Sequence, residues 1–300
     1  MSGVGSTEPP RSGGTGFVGA GAGRSTAEAE AGRVRSYLDY YLTRARVQIQ
    51  SNFQYRVATY MWMIGMLAEP IVYLVVWTTI SEQQGGEVQG ITTGQFAAYY
   101  IVWTLVRNMN IVFTPYGWEW RIREGELSAA LLRPLHPLHD DIAGFAGWKV
   151  VTIILWLPIA AVLWLAFDPE FDVRAAEIAA FCVAIWGAYL IRTMFLTSLG
   201  MVTFWTTRVS ALFELMVGLE LLLSGRLVPL PLMPDWVEDV AAVLPFQWSF
   251  YFPIQTLVGD MSNQELLEGL GMQLLWIVAL TGLFLVVWRF AIRRYSAVGN

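Results

Sequence analysis

Residues 271–292 read GMQLLWIVALTGLFLVVWRFAI, an apolar stretch whose only charged side chain is Arg289. An α-helix rises about 1.5 Å per residue, so a stretch of this length covers the roughly 30 Å of a bilayer's hydrocarbon core. Five similar stretches precede it. Together they predict membrane-spanning helices at residues 57–80, 95–115, 144–167, 176–205, 209–230 and 271–292. The expected fold is an all-α polytopic membrane protein with six spans.

The composition of the whole chain agrees with a lipid environment. Hydrophobic residues make up 55% of the 300 residues and charged residues only 14%, against roughly 25% in a typical soluble domain. Too few charges are present to cover a water-facing surface. Cys182 is the only cysteine, so an internal disulfide is excluded. Basic residues cluster only beside the predicted spans, so no nucleic-acid partner is expected.

The chain is predicted to contain three regions. Residues 1–32 are rich in Gly, Ser, Thr and Ala, which predicts a disordered tail. Residues 33–56 carry apolar side chains at three- and four-residue spacing with arginines between them, which predicts an amphipathic helix in the membrane interface. Residues 57–300 form the predicted six-helix transmembrane domain.

The distribution of arginine predicts the orientation. Arginines lie before the first span, in the loop between the second and third spans, between the fourth and fifth, and at the C-terminus. Residues 81–94 and 228–270 contain acidic residues and neither Lys nor Arg. Positively charged loops stay in the cytoplasm, so both termini are predicted to be cytoplasmic.

Two loops are too long to be simple connectors. Trp118–Asp141 reads WEWRIREGELSAALLRPLHPLHDD and predicts a short amphipathic cytoplasmic helix that Pro134 and Pro137 would end. The loop between the fifth and sixth spans predicts a short helix near Trp236 on the outer membrane face. Its apolar run at residues 246–258 is too short to span and contains proline, so a re-entrant segment is expected there, shielded by protein.

Signatures of catalysis are missing from the sequence. It contains no phosphate-binding G-x-x-x-x-G-K-[ST] loop, no H-E-x-x-H, no G-x-S-x-G and no cysteine pair. We therefore expect no catalytic residues, no metal site and no cofactor bound by this chain. His136, His139, Asp140 and Asp141 could suggest a metal cluster, but Pro137 between the histidines favours a polar turn.

Charged residues inside the predicted spans require partners or water, because an isolated charge at the bilayer centre costs at least about 2.5–3.5 kcal/mol. Similar depths suggest two pairs, one on the first and second spans and one on the fourth and fifth. These pairs either hold helices in register or line a substrate or proton pathway. The candidate residues are Glu69 with Arg107, Arg192 with Glu220, and Glu214.

Three segments in this order resemble the permease subunits of type-2 ABC exporters. IREGELSAALLRP at Ile122–Pro134 is similar to their cytoplasmic coupling helix, and LSGRLVPLPLMPDWVEDVAAVLPF at Leu223–Phe246 is similar to the segment between their fifth and sixth spans. The C-terminal FPIQTLVG and WRFAIRRYSAVG resemble a drug- and metabolite-exporter subfamily. The resemblance covers roughly residues 33–300 and leaves the Gly-rich tail unexplained.

The resemblance implies a non-catalytic subunit in the plasma membrane of a prokaryote. Separate ABC ATPase subunits would bind ATP and magnesium, and a second permease, identical or paralogous, would complete the pore. The substrate would be a hydrophobic or amphipathic small molecule, a drug or metabolite, or a lipid or glycan. The residues implied to contact the ATPase are Ile122, Arg123, Glu124, Glu126, Leu127, Leu131 and Arg133. An ion-coupled secondary transporter, and a membrane-embedded enzyme or scaffold, remain alternatives.

Overall fold

The computed structural model describes residues 26–206 and 208–295, without the side chains of residues 26–31 and 33. Within these ranges the regular secondary structure is α-helical apart from two short 3₁₀ turns and one small β-hairpin. The helices in chain order are α1 Thr26–Gln54, α2 Arg56–Met66, α3 Ala68–Gln83, α4 Thr93–Met109, α5 Pro115–Arg123, α6 Glu126–Leu131, α7 Pro137–Phe167, α8 Ala175–Gly200, α9 Ser210–Leu223, α10 Asp235–Val243, α11 Pro245–Ser249, α12 Tyr251–Val258 and α13 Asn263–Arg294. Short 3₁₀ turns lie at Met201–Phe204 and Leu230–Leu232.

The chain divides into two compact units, residues 1–40 and residues 41–300. The described part of the first unit is the first half of α1, where Val34 and Leu38 are exposed. This helix begins at Thr26 rather than at Arg33. Residues 1–25, the greater part of the predicted disordered tail, lie outside the described residues. The second unit contains the remaining helices and the hairpin.

Four helical stretches in the described ranges are long and apolar enough to cross a membrane. They are Arg56–Gln83, in which only Leu67 separates α2 from α3, then Pro137–Phe167, Ala175–Phe204 and Asn263–Arg294. The second and fifth predicted spans correspond to α4 and α9, which have 17 and 14 residues and therefore reach about 25 Å and 21 Å. The chain is thus an α-helical membrane protein, with four long helices and two shorter ones at the predicted places.

Helix α4 lies at the centre of the largest core cluster and packs against α3, α7 and α12. Thirteen of its 17 residues are buried. Three of its aromatic side chains donate hydrogen bonds to the irregular backbone at residues 225–227: Tyr99 to the Gly225 carbonyl at 2.6 Å, Tyr100 to Leu227 at 3.2 Å and Trp103 to Arg226 at 3.2 Å. Buried carbonyls need such partners, so these bonds stabilise a non-helical segment in the interior.

Helix α13 packs most extensively against α8. The Gln273 amide, 2% exposed, donates to the carbonyls of Ala184 in α8 at 3.0 Å and of Trp248 in α11 at 2.7 Å. One buried polar side chain therefore connects three helices. Because an unpaired amide would be costly in this interior, the contact fixes their register.

The region between α9 and α13 is more helical than the sequence indicated. Helix α10 lies where a short helix was expected around Trp236. The predicted re-entrant run at residues 246–258 forms α11 and α12, and α12 packs against α4 and α8 with Phe252 and Ile254 buried.

The β-hairpin was not predicted from the sequence. Strands β1 Glu87–Val88 and β2 Ile91–Thr92 pair antiparallel around Gln89 and Gly90, both with positive φ. Two positive φ angles in a two-residue loop match the twist of a tight hairpin. The hairpin lies between α3 and α4 and leaves the all-α class unchanged.

Candidate functional site

The first cluster of interior charges centres on Glu69 in the first turn of α3. Its carboxylate pairs with Arg107 of α4, as the sequence predicted, and also with Arg226, whose Nη2 lies 2.9 Å from both carboxylate oxygens. Both guanidinium groups lie near the Trp103 ring, at 5.3 Å and 5.9 Å from its centroid. The cluster therefore contains two positive charges and one negative charge.

Sequence reasoning did not find Arg226. It follows α9 in a segment whose only apparent signal was its Ser-Gly-x-x-x-Pro pattern. The guanidinium reaches Glu69 because Tyr99, Tyr100 and Trp103 hold the backbone of residues 225–227 against α4. Arg226 lies inside the predicted fifth span, 209–230, and an arginine within an apolar stretch is the signal that could have located it.

The second cluster is the Arg192–Glu220 ion pair between α8 and α9. The side chains are 17% and 6% exposed, so both charges are largely removed from solvent. The structure thus brings together both pairs that similar depth suggested. A buried pair of this kind is costly to break, because removing one partner leaves the other charge unpaired.

A cavity of about 180 Å³ lies between the two clusters. Arg107, Arg192, Arg226 and Glu220 line it, and Glu69 pairs with two of these arginines. Three positive and two negative side chains give the combined clusters a net charge of +1. The remaining lining residues are Met66, Asn110, Ile111, Val112, Thr114, Leu196, Phe213 and Phe250. The cavity is therefore polar, positively biased and bordered by apolar side chains.

Lys149 is a further buried cation that was not assigned a role from the sequence. It is 0% exposed, and its ammonium group donates to the main-chain carbonyls of Asn108, at 3.0 Å, and Ile111. These carbonyls lie at the C-terminal end of α4, where helices leave acceptors unpaired. The positive charge also opposes the negative end of the helix dipole. Lys149 therefore fixes the end of α4 to α7.

Glu214, the fifth predicted intramembrane charge, is not part of either cluster. It accepts a hydrogen bond from the exposed Tyr116 phenol of α5 at 2.7 Å. This bond to Glu214 raises the pKa of Tyr116 above its usual value. Glu214 therefore connects α9 to α5, whose last two residues, Ile122 and Arg123, begin the segment that the resemblance associates with an ATPase contact.

That segment forms two helices, α5 and α6, instead of the single predicted helix. Gly125 separates them with a φ of 73°, a left-handed conformation that glycine adopts most easily. Pro134 follows the end of α6. Pro137 was predicted to end a helix, but it is instead the first residue of α7. At that position the missing N–H costs nothing.

The predicted contact residues of this segment separate into an inner and an outer set. Leu127 is 0% exposed and packs with Trp118 inside the chain, so its predicted contact with a partner is wrong. Ile122 and Leu131 pack against the same cluster and are half-buried. The exposed predicted residues are Arg123, Glu124, Glu126 and Arg133. Leu132, which was not predicted, is 88% exposed.

Polar contacts hold α5 and α6 to the bundle. The two terminal guanidinium nitrogens of Arg121, Nη1 and Nη2, each lie 2.9 Å from one carboxylate oxygen of Asp141 in α7. The Ser128 hydroxyl lies 2.7 Å from the Tyr295 hydroxyl just after α13. A two-point contact between arginine and carboxylate fixes orientation as well as distance. The segment is therefore tied to two long helices.

The second half of α1 is held to α7 in the same area. Arg44 Nε lies 2.7 Å from Asp140 Oδ1, and the Tyr41 hydroxyl lies 2.8 Å from His139 Nδ1. A side chain at Gly147 would come within 2.6 Å of the Ala45 carbonyl, so the two helices need glycine there. From Tyr41 onward, the predicted interfacial helix is thus packed on α7, with Arg44 in an ion pair.

The four residues that could have suggested a metal cluster, His136, His139, Asp140 and Asp141, each contact a different partner instead. His136 Nδ1 accepts the Leu138 N–H at the start of α7, and its ring lies 4.2 Å from the Trp288 ring centroid. Burial lowers the pKa of His136 to about 4, with nearby His139 acting in the same direction. Over the described ranges, no three His, Cys, Asp or Glu side chains are grouped to hold a metal ion.

These features define a polytopic α-helical membrane protein with paired charges around an internal cavity and a small helical segment at one end. The sequence of residues 67–299 matches the model of the ABC-2 family transporter proteins, and the chain belongs to this family. Members are generally non-catalytic ABC transporter permeases that work with an ABC ATPase subunit. The comparison with curated proteins gives no match.

Proposed function

We propose that this chain is the permease subunit of an ATP-driven exporter in the plasma membrane of a prokaryote. The six spans are α2 with α3, α4, α7, α8, α9 and α13, and both termini are cytoplasmic. The chain forms a pore with a second permease, identical or paralogous. ATP and magnesium bind to separate ATPase subunits, and the cargo is a hydrophobic or amphipathic small molecule.

The observation that carries this proposal is the two-sided construction of α5 and α6. Their inner side chains, Trp118 and Leu127, are fully buried. On the outer side, Leu132 is 88% exposed and the side chain of Arg123 is 58% exposed. A rigid element with an exposed apolar and charged surface can receive a push from a partner and pass it to the helices it packs on. The contacts of Arg121 to α7 and of Ser128 beside α13 give that push two routes.

The cavity between α4, α8 and α9 is the proposed binding site for the cargo. It borders the C-terminal end of α4, which Lys149 holds to α7, and residues 110–114 continue from that end to α5. Because residues 110–114 connect the cavity to α5, a movement of α5 alters the wall of the cavity. Two polar atoms there, Arg226 Nε and Asn110 Oδ1, have no hydrogen-bond partner among the described residues. The paired charges hold the helices in register and present polar groups to the cargo.

Affinity purification tests the proposal. The tagged chain is extracted from its host in mild detergent, and co-purifying proteins are identified by mass spectrometry. We expect an ABC ATPase, together with ATP hydrolysis that disappears when the ATPase is removed. Isolation of the chain alone after cross-linking in intact cells, or hydrolysis by the chain without a partner, would contradict it.

A further inference from the structure

A basic cavity beside α5 is lined partly by residues that the proposed function does not use, among them Arg208 and Arg294. It measures about 530 Å³ and is lined by side chains from three separate elements: Ile122, Arg123, Thr203, Phe204, Trp205, Thr206, Arg208 and Arg294. Arg123 belongs to α5, Arg208 precedes α9, and Arg294 is the last residue of α13. No carboxylate is among the described residues that line it.

The charge of this cavity is only partly compensated. Arg123 pairs with Glu119 at 3.2 Å, and the other carboxylate oxygen of Glu119 accepts the Val209 N–H. Arg208 and Arg294 have no ion pair within the described ranges, which exclude residue 207 and residues 296–300. The three arginines and one glutamate leave a net charge of +2, which requires an anion or solvent.

An apolar track leads to the cavity along α13. Val286 and Phe290 are 55% and 59% exposed and precede Arg294 at spacings of eight and four residues, so all three lie on one helix face. The track from Val286 to Arg294 is about 12 Å long. Trp205, 42% exposed, borders the same cavity, and tryptophan favours the membrane interface. Because α13 is long and apolar enough to cross a membrane, this face brings lipid acyl chains next to the cavity.

We infer that the Arg123–Arg208–Arg294 cavity binds the phosphate headgroup of an anionic phospholipid. The headgroup phosphate lies among the three guanidinium groups, which present several donors to phosphate oxygens. One acyl chain lies along Val286 and Phe290. The hydroxyls of Thr203 and Thr206 are available to headgroup oxygens. The volume lies in the range of small-molecule sites and exceeds what a lone phosphate needs.

Short-chain lipids provide the test with the purified full-length chain in detergent. Dioctanoyl phosphatidylglycerol, dioctanoyl phosphatidylcholine and inorganic phosphate are titrated, and binding is followed by native mass spectrometry and by the melting temperature. We expect saturable binding and stabilisation with phosphatidylglycerol, and at least tenfold weaker binding of phosphatidylcholine. Inorganic phosphate as tight as phosphatidylglycerol would assign the cavity to free phosphate and overturn the lipid assignment.

Neighbouring arginines of α13 supply a matched pair of variants. Arg294→Gln is expected to weaken phosphatidylglycerol binding about fivefold, the contribution of one basic residue near a lipid headgroup, and Arg208→Gln by a similar factor. Arg293→Gln is the control, because Arg293 is also exposed but does not line the cavity. Equal effects of Arg293→Gln and Arg294→Gln would contradict the proposal.

A last comparison separates this site from the ATPase contact. In nanodiscs of phosphatidylcholine with and without phosphatidylglycerol, Arg208→Gln is assayed for lipid binding and for ATPase association. Lost lipid binding with retained ATPase supports the proposal, whether or not the ATPase contact lies where we placed it. Lost ATPase association with unchanged lipid binding would show that the cavity receives a protein, and would overturn it.

Discussion

At the residue scale, the interior charges are arranged in compensating groups. Glu69 contacts two arginines, whereas Arg192 contacts one glutamate. The low exposure of these side chains makes their electrostatic interactions stronger than at a surface. We propose that their first role is structural, with the residual positive charge facing the cavity. A proton relay would need a titratable group without a fixed partner, and Glu69 and Glu220 are both paired.

The Arg192–Glu220 pair gives a direct prediction about stability. Glu220→Gln or Arg192→Gln alone should lower the free energy of unfolding by about 3–5 kcal/mol, because each leaves a buried charge without its partner. The double variant should lose less than the sum of the two. Denaturant titration of the purified protein in micelles measures all three. Additive losses would contradict coupling between the two side chains.

An exposed arginine provides the control for that cycle. The Arg123 side chain is 58% exposed, and its partner Glu119, 14% exposed, also accepts the Val209 N–H and so keeps one partner when Arg123 is replaced. Arg123→Gln should change the free energy of unfolding by less than about 1 kcal/mol. A loss as large as that of Arg192→Gln would mean that general charge removal, and not burial, causes the effect.

His136 predicts a dependence of stability on pH. Burial lowers the pKa of this imidazole to about 4, below the usual value near 6.5. The neutral ring accepts the Leu138 N–H, and this contribution is complete above pH 6.5. As the pH falls from 6.5 towards 4, the unfolded chain binds the proton first, so stability decreases. The melting temperature should fall across this window.

His136→Asn tests this assignment, because asparagine can also accept a hydrogen bond at a helix N-terminus but does not titrate. The variant should melt near the wild-type temperature at pH 7.5 and lose less stability between pH 6.5 and pH 4. An unchanged pH profile would assign the acid sensitivity to another group.

At the element scale, α5 and α6 show why an amphipathic pattern alone misassigned a contact. Leu127 and Leu131 are four residues apart and share one helix face, which the sequence correctly identified as apolar. The pattern does not say whether an apolar face meets its own chain or a partner. Trp118 and the end of α13 occupy that face here, and Leu132 is left exposed.

This correction changes the variant that tests the ATPase contact. Leu132→Asp places a charge at the exposed position and should reduce co-purification of the ATPase at least tenfold, because the charge would be desolvated at the contact. The melting temperature should change little, since Leu132 is 88% exposed. Quantitative immunoblotting of the co-purified ATPase measures the effect.

Leu267→Asp is the matched control. Leu267 is 70% exposed in the first turns of α13, at the other end of that helix from Tyr295 and Ser128. The same substitution there should leave ATPase association intact. Equal ATPase recovery with Leu132→Asp and wild type would contradict the assignment of this segment as the coupling element.

The sequence predicted the long helices better than their connections. Apolar length locates α7, α8 and α13 because lipid imposes a minimum span. Apolar length does not reveal that α7 begins at Pro137, before the apolar region. The residues in this extension include Asp140 and Asp141, which are polar, and Pro137, which usually interrupts a helix. The position of Arg226 depends on three distant aromatic side chains, which no local pattern contains.

At the scale of the whole molecule, the proposals depend on the orientation of the chain in the membrane. Both the ATPase contact at α5 and α6 and the Arg123–Arg208–Arg294 cavity are placed on the cytoplasmic side. The arginine distribution predicts that Glu124 faces the cytoplasm and Gln264 the outside. Single cysteines at these exposed positions, in a Cys182→Ala background, should react differently with a membrane-impermeant maleimide on intact cells. Only the cysteine at position 264 should be labelled, and labelling at 124 alone would reverse the orientation.

Transport energised by ATP is the central claim, and uptake into inside-out membrane vesicles tests it most directly. Vesicles containing the chain and its ATPase are given a panel of fluorescent amphipathic compounds, with ATP or a non-hydrolysable analogue, and with or without ionophores that abolish proton and sodium gradients. We predict uptake of at least one compound that requires ATP hydrolysis and persists with ionophores. Uptake that is independent of ATP and abolished by ionophores would contradict the account and identify an ion-coupled transporter.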